Sequence, residues 1–291
     1  MADPDPAQLS RARTPGGENL TLRVWSSLVL APLAVAIAYF GGWSFAIFWS
    51  AAAIGVFWEW STLVAGKGWR PVVVGAGAAL VVSFVLAASG QPLGVLGAIA
   101  VTIMVALGVV VIAPLASLHH RGWLAGGVPY TAAIGIAPVV LRSDTEDGLV
   151  AMMFLFAIAW ATDIAAFFVG RLIGGPKLLP RVSPKKTWSG AIGGLAAAVF
   201  AGIAVAKAAG LSGLFWLALV AAILSCAAQA GDLFESLVKR RFGAKDSSHL
   251  IPGHGGLMDR LDGFIFAAAV AALIGVLRGG VAAPARGLLV W

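Results

Sequence analysis

Between residues 23 and 280 the chain repeats apolar runs that are each close to membrane-spanning length, and this repetition fixes the fold class before any single residue does. A hydrocarbon layer about 30 Å thick needs about 20 helical residues to cross it. Within that layer a helix keeps every backbone donor and acceptor paired. Gly, Pro and Gln punctuation separates nine runs, near 23–41, 43–65, 71–89, 92–118, 123–141, 148–174, 188–209, 212–235 and 262–280. The expectation is an all-α polytopic membrane protein of about nine transmembrane helices, with the fourth long enough to tilt or break at Pro114. Composition agrees, since 60% of residues are hydrophobic and 11% charged, against about 25% charged in soluble domains.

Basic residues orient the array, because Lys and Arg collect on cytoplasmic loops. With the N-terminus inside, the inner loops hold all but four of the 20 Lys and Arg. The exceptions are Arg142, Lys207, Arg278 and Arg286, and the loop after Arg142 also carries Asp144, Glu146 and Asp147. The N-terminus is therefore expected in the cytoplasm and the C-terminus outside. Residues 1–22 read as a disordered cytoplasmic tail, 23–147 as N-terminal transmembrane helices and 148–291 as a C-terminal transmembrane catalytic region. The first span is too long for a signal-peptide core and reads as a retained anchor. The net charge of +7 reflects this bias together with phosphate handling; without a base-stacking or helix-turn-helix pattern, no nucleic-acid partner is expected. Cys226 has no second cysteine to pair with and is expected to pack in the eighth helix. His119, His120, His249 and His254 lack zinc-site spacing.

Three acids fall inside spans: Glu59, Asp163 and Asp232, each costing about 2.5–3.5 kcal/mol if central. At about 1.5 Å per residue, each lies nearer the cytoplasmic end of its helix, where the three can line one cavity. The plainer reading is that each caps a neighbouring helix or pairs with a basic residue. That reading is preferred for Glu59, between Trp58 and Trp60, but not for Asp163 or Asp232.

Two polar segments face the same side. In GGPKLLPRVSPKKTWSG, Ser183 and Thr187 offer hydroxyls, Lys185 and Lys186 offer charge, and the following helix offers free N–H groups that favour anions. Gly190 and Gly194 form a small-xxx-small face suited to helix packing. In the second segment, Gly231 to Asp262, fall ten of the chain's 20 basic and 13 acidic residues. Asp232, Glu235, Ser236, Lys239 and Arg240 recur at helical spacing, and Lys239, Arg240, Arg241, Lys245 and Arg260 can neutralise phosphates. Pro252, Gly253, Gly255 and Gly256 let the backbone turn sharply around His254. Asp232, Asp259 and Asp262 supply hard oxygen ligands, which favour Mg²⁺.

These residues resemble the signature of the phosphatidate cytidylyltransferase (CDP-diacylglycerol synthase) family. The matching positions are Ser236, Lys239-Arg240, Lys245-Asp246, the turn Pro252-x-His254-Gly255-Gly256, and Asp259-Arg260-x-Asp262. The specific match runs roughly from Trp160 to Gly263 and includes SPKKTW; the N-terminal half matches only as a generic helix array. Phe167 stands where Tyr is common and Ser189 where Glu is common, so no hydroxyl or carboxylate role carries over there. The resemblance implies transfer of the cytidylyl group of CTP to phosphatidic acid, giving CDP-diacylglycerol and pyrophosphate in phospholipid biosynthesis. It also implies Mg²⁺ with a second cation, a bacterial inner membrane among membrane lipids, and a homodimer.

On that reading Asp232 and Asp259 are the metal ligands, with Asp262 and Asp163 as further ligands or as orienters of basic groups. Lys239 and Arg240 neutralise the lipid phosphate or leaving pyrophosphate, and Ser236 donates to a phosphate oxygen. Lys185 and Lys186 hold the triphosphate, with Ser183, Thr187, Lys245 and Arg260 as additional substrate contacts. His254 is a phosphate donor, a proton shuttle or a structural turn residue. A CDP-alcohol phosphotransferase would carry an Asp-Gly-x-x-Ala-Arg run, which is absent. A secondary transporter predicts inverted repeats and a midplane site, and a scaffold predicts basic residues without these acids.

Overall fold

The computed structural model describes residues 29–66, 70–115, 120–248 and 255–291. The expected tail over 1–22 and the candidate His254 lie outside the described residues. The helices are α1 Val29–Phe40, α2 Gly42–Ala65, α3 Arg70–Ala88, α4 Pro92–Leu115, α5 Arg121–Arg142 and α6 Gly148–Leu172, then α7 Trp188–Ala208, α8 Leu214–Arg241, α9 Met258–Gly279 and α10 Pro284–Leu289. Among the described residues, α2 to α9 are eight helices long and apolar enough to cross a membrane, and α1 is a shorter apolar helix that begins where the description begins. The all-α polytopic expectation holds, with boundaries moved by a few residues. α4 is described to Leu115, one residue past Pro114, and the stretch that follows lies outside the described residues. One departure is a small antiparallel hairpin, β1 Lys177–Leu179 and β2 Ser183–Thr187, where a plain loop is expected.

Packing explains which faces stay apolar outside. α5 is the most buried span, enclosed by α2, α3, α4 and α9. The chief helix pairs are α6 with α7, α2 with α5, α3 with α4 and α8 with α9. Aromatic rings tie the two halves together: Trp49 stacks on Phe264 at 4.8 Å, and Trp60 meets Tyr130 at 4.9 Å and Phe234 at 6.2 Å. Outward on α3 and α4, Val81, Val85, Leu96, Ile103 and Leu107 stand exposed, a surface suited to lipid. Cys226 is also exposed on α8, so it points outward and does not pack as expected.

The helices alternate in direction, which collects two different sets of polar groups at the two ends. At one end, Arg142 Nε donates to Ala38 O at 2.7 Å, and Asp144 accepts from the backbone N–H of Arg286 at 3.1 Å. Arg278 donates to Gly287 O and Val290 O and lies 3.4 Å over the Trp291 ring. The Arg142 and Arg278 guanidinium groups are therefore held by backbone carbonyls at this end, and Arg286 is held through its backbone. After α9 the chain folds back as the short helix α10, with Leu288 and Leu289 buried. The other end gathers the end of α6, the hairpin, the start of α7, the end of α8 and the start of α9.

α8 links that end to the membrane. Its 28 residues extend about 42 Å at 1.5 Å per residue, more than the roughly 30 Å hydrocarbon layer. Its charged last turns therefore continue the span beyond the apolar layer as one helix.

Candidate active site

The crossing of α8 and α9 builds the site. Gly231 precedes Asp232, and Gly263 follows Asp262. A Cβ on Gly231 would lie 2.5 Å from the Asp262 carbonyl oxygen, and one on Gly263 would lie 3.1 Å from that of Ala228. Glycine removes the side chain that would hold the helices apart, so the adjacent carboxylates come side by side. Asp232, Glu235 and Asp262 present oxygens all within 4.8 Å of one another.

Glu235 is 1% exposed, and neither of its oxygens is aligned with a hydrogen-bond donor. Its Oε2 lies 2.6 Å from Lys239 Nζ, one turn along α8, and the same ammonium donates to Asp259 Oδ1 at 2.6 Å. Three carboxylates so close together repel unless cations offset them. The oxygen-only donor set suits a hard divalent ion.

The hairpin forms the opposite wall. Gly174 and Gly175 take φ of 68° and 101°, which turns the chain off α6, a conformation that L side chains resist. Lys177 then pairs with Thr187 and Leu179 with Ser183. Thr187 caps α7 by accepting from Gly190 N at 3.1 Å, and Ser189 donates to Gly174 O. Gly190 and Gly194 lie against α6, where a Cβ would come 2.7 Å from Ala166 O and 2.8 Å from Thr162 O; this is the packing face that their spacing suggests. So anchored, β2 sends Lys186 into an ion pair with Asp232, both side chains about a third exposed. The cleft between hairpin and helices measures about 950 Å³ and its lining includes Asp163, Arg171, Lys185, Lys186, Thr187, Gln229, Asp232, Glu235, Lys239, Asp246, Asp259, Arg260 and Asp262.

Asp259 has both oxygens engaged. Oδ1 accepts from Lys239 Nζ, while Oδ2 accepts from Ser247 N at 3.0 Å and Gly256 N at 2.8 Å, with Ser247 Oγ also at 3.0 Å. Beside it, fully buried Glu59 accepts from Leu257 N at 2.8 Å, Met258 N at 2.7 Å and Ser248 Oγ at 2.6 Å, with Ser247 Oγ at 3.0 Å. Glu59 therefore caps the start of α9, the plainer of its two expected roles.

The structure thus brings together most residues singled out from sequence. Asp163 faces the cleft from α6 and lies within the fields of Asp232, Lys186 and Arg260. Asp232 and Asp262 belong to the carboxylate group, and Asp259 stands next to it on Lys239. Ser183, Ser236, Arg240 and Lys245 are not among the described lining residues. For Arg240 the cause is angular: Asp232, Glu235 and Lys239 follow i, i+3, i+7, while Arg240 is rotated about 100° past Lys239 and is exposed. Sequence reading underrates Glu235, Ser247 and Gly231. The mirrored pairs Gly231-Asp232 and Asp262-Gly263 are the signal that marks the crossing.

Comparison with known proteins identifies the family. The chain matches the model of the Cytidylyltransferase family over residues 21–277. A phosphatidate cytidylyltransferase from Brucella suis biovar 1 (strain 1330) is 40% identical over 274 residues, covering 89% of this chain and 94% of that protein. The one from Brucella abortus (strain 2308) is similar to the same extent. Another from Staphylococcus haemolyticus (strain JCSC1435) is 43% identical over 136 residues, covering 46% of this chain and 52% of its own length.

Proposed function

The chain belongs to the cytidylyltransferase family, and we propose accordingly that it transfers the cytidylyl group of CTP to phosphatidic acid, giving CDP-diacylglycerol and pyrophosphate. The observation that carries this reading is the meeting, in one cleft, of the hairpin lysines with a cluster of three carboxylates, Glu235 buried and Asp232 and Asp262 half-buried. A lipid phosphate oxygen attacks the α-phosphorus of CTP, a new P–O bond forms, and the bond to the β-phosphate oxygen breaks, sending its electron pair out with pyrophosphate. The nucleophile is already anionic, so orientation and charge neutralisation supply most of the rate.

In this reading Lys185 and Lys186 hold the triphosphate from β2. Lys239, fixed between Glu235 and Asp259, neutralises charge on the phosphates that react, with Arg260 at the cleft wall. Asp232, Glu235 and Asp262 would hold Mg²⁺, which when bound neutralises charge on the triphosphate oxygens. Asp259, the other expected ligand, joins that set only if Lys239 releases its Oδ1; otherwise it orients the ammonium. Residues 148–291 carry these groups, and the N-terminal helices support them.

The test uses purified protein with phosphatidic acid, Mg²⁺ and each of the four NTPs in turn. CTP-selective release of pyrophosphate with formation of the cytidylylated lipid is expected. No release, or equal release with all four, overturns the reading.

We further propose that the cleft faces the cytoplasm from a bacterial inner membrane, with the lipid's acyl chains remaining in the bilayer. The support is the basic-residue asymmetry: the cleft end carries the Lys- and Arg-rich loops, and CTP is a cytoplasmic substrate. A reporter fused after Trp291 is expected to be active only outside the cytoplasm; cytoplasmic activity reverses the orientation.

A further inference from the structure

We propose that Glu59 is a positioning residue for the reaction, acting from α2 through Ser247 on the Asp259–Lys239 pair. The inference rests on the cytidylyl-transfer reading of the cleft. Glu59 lies outside the cleft lining, is fully buried, and comes from the half of the chain that carries none of the other site groups. Yet its two oxygens receive the first N–H groups of α9, from Leu257 and Met258, and the hydroxyl of Ser248.

The link to the site is Ser247. Its hydroxyl lies 3.0 Å from Glu59 Oε2 and 3.0 Å from Asp259 Oδ2, while its backbone N–H donates to Asp259. A hydroxyl has one proton, so it donates to one carboxylate at a time, and both acids depend on where it is held. Asp259 in turn holds Lys239 at 2.6 Å. A chain of contacts therefore runs from α2 to the ammonium in the cleft. Packing reinforces it: a Cβ on Gly256 would lie 2.7 Å and 2.8 Å from the Glu59 oxygens, so the backbone here is pressed against the carboxylate.

Glu59→Gln keeps the volume but sets an NH₂ group against donors that now meet a carboxylate oxygen. The hairpin lysines, which hold the triphosphate, do not touch this chain of contacts. Loosening Lys239 should therefore lower kcat, by about 10- to 100-fold as for other orienting partners, while leaving KM for CTP unchanged. Ser247→Ala should move kcat in the same direction. If Glu59 acts through Ser247, the double variant Glu59→Gln/Ser247→Ala should fall no further than the worse single variant.

Residue-resolved hydrogen exchange supplies a readout independent of turnover. In Glu59→Gln, exchange should accelerate by about tenfold at the amides of Ser247 and Gly256, which bond Asp259, and not only at Leu257 and Met258. A purely structural cap would lower the melting temperature but leave kcat of the folded protein unchanged, add independently to Ser247→Ala, or speed exchange at Leu257 and Met258 alone. Any of these overturns the proposal. Should Glu59→Gln fail to fold, an unchanged kcat in Ser247→Ala overturns it by itself. If the wild-type protein shows no CTP-dependent turnover, the cytidylyl-transfer reading fails, and the exchange pattern still decides whether Glu59 positions Asp259.

Discussion

Asp232→Asn is expected to lower CTP-dependent formation of CDP-diacylglycerol by about a thousandfold, with the protein still folded. Asn keeps the shape and one acceptor oxygen but removes the charge. A cation held on transferring phosphates contributes several kcal/mol to the transition state, and each 1.4 kcal/mol is about tenfold in rate. Folding should tolerate the change, because Asp232 is partly exposed and shares its space with Glu235 and Asp262; removing one of three like charges relieves repulsion. Turnover, melting temperature and the Mg²⁺ activation midpoint measured together decide the assignment. Turnover within tenfold of wild type removes Asp232 from the cation site. Asp259→Asn offers the contrast: lower turnover with an unchanged Mg²⁺ midpoint is expected if Asp259 works through Lys239, whereas a shifted midpoint makes it a ligand.

Gly231→Leu should be nearly as damaging although it removes no functional group. Its Cβ would sit 2.5 Å from the Asp262 carbonyl oxygen, so α8 and α9 must part. Overpacking of this kind costs about 1–3 kcal/mol of stability. A displacement of about 1 Å between reacting groups lowers rates about 100-fold, and here the displaced groups are Asp232 and Asp262 themselves. Gly126→Leu on α5 is the matched control, since a Cβ there meets nothing within 4 Å. Turnover and thermal melting of both variants should separate wedging from the general effect of a larger side chain. Equal turnover in the two would show that the crossing tolerates widening.

The helices were legible in sequence because length and apolarity are local properties, and eight described helices match the expected runs within several residues. The charged end was legible for the same reason: Asp232, Lys239, Asp259 and Asp262 stand out against hydrocarbon. What the sequence concealed depends on distance along the chain. Glu59 and Ser247 are 188 positions apart, and no spacing rule joins them. The hairpin was hidden because SPKKT has no alternation of apolar and polar residues, and its strands are fixed from outside by Gly174, Pro176 and the Thr187 cap. Glu235 sat within a helical stripe whose members looked equivalent; only the helix rotation relative to α9 separates it, which is buried, from Arg240, which is exposed.

The pairing of Lys186 with Asp232 bears on how a highly charged substrate enters a site at the membrane edge. Lys186 rides on a hairpin tethered between α6 and α7 and not on a spanning helix, so its ammonium can leave Asp232 without any helix shifting in the bilayer. The protein thereby carries its own counter-ion for that carboxylate. On the proposed reading, Asp232 would be freed for a cation and Lys186 for a phosphate when a triphosphate binds with its cation. Little new net charge would then be created beside the hydrocarbon, where isolated charge is hardest to sustain.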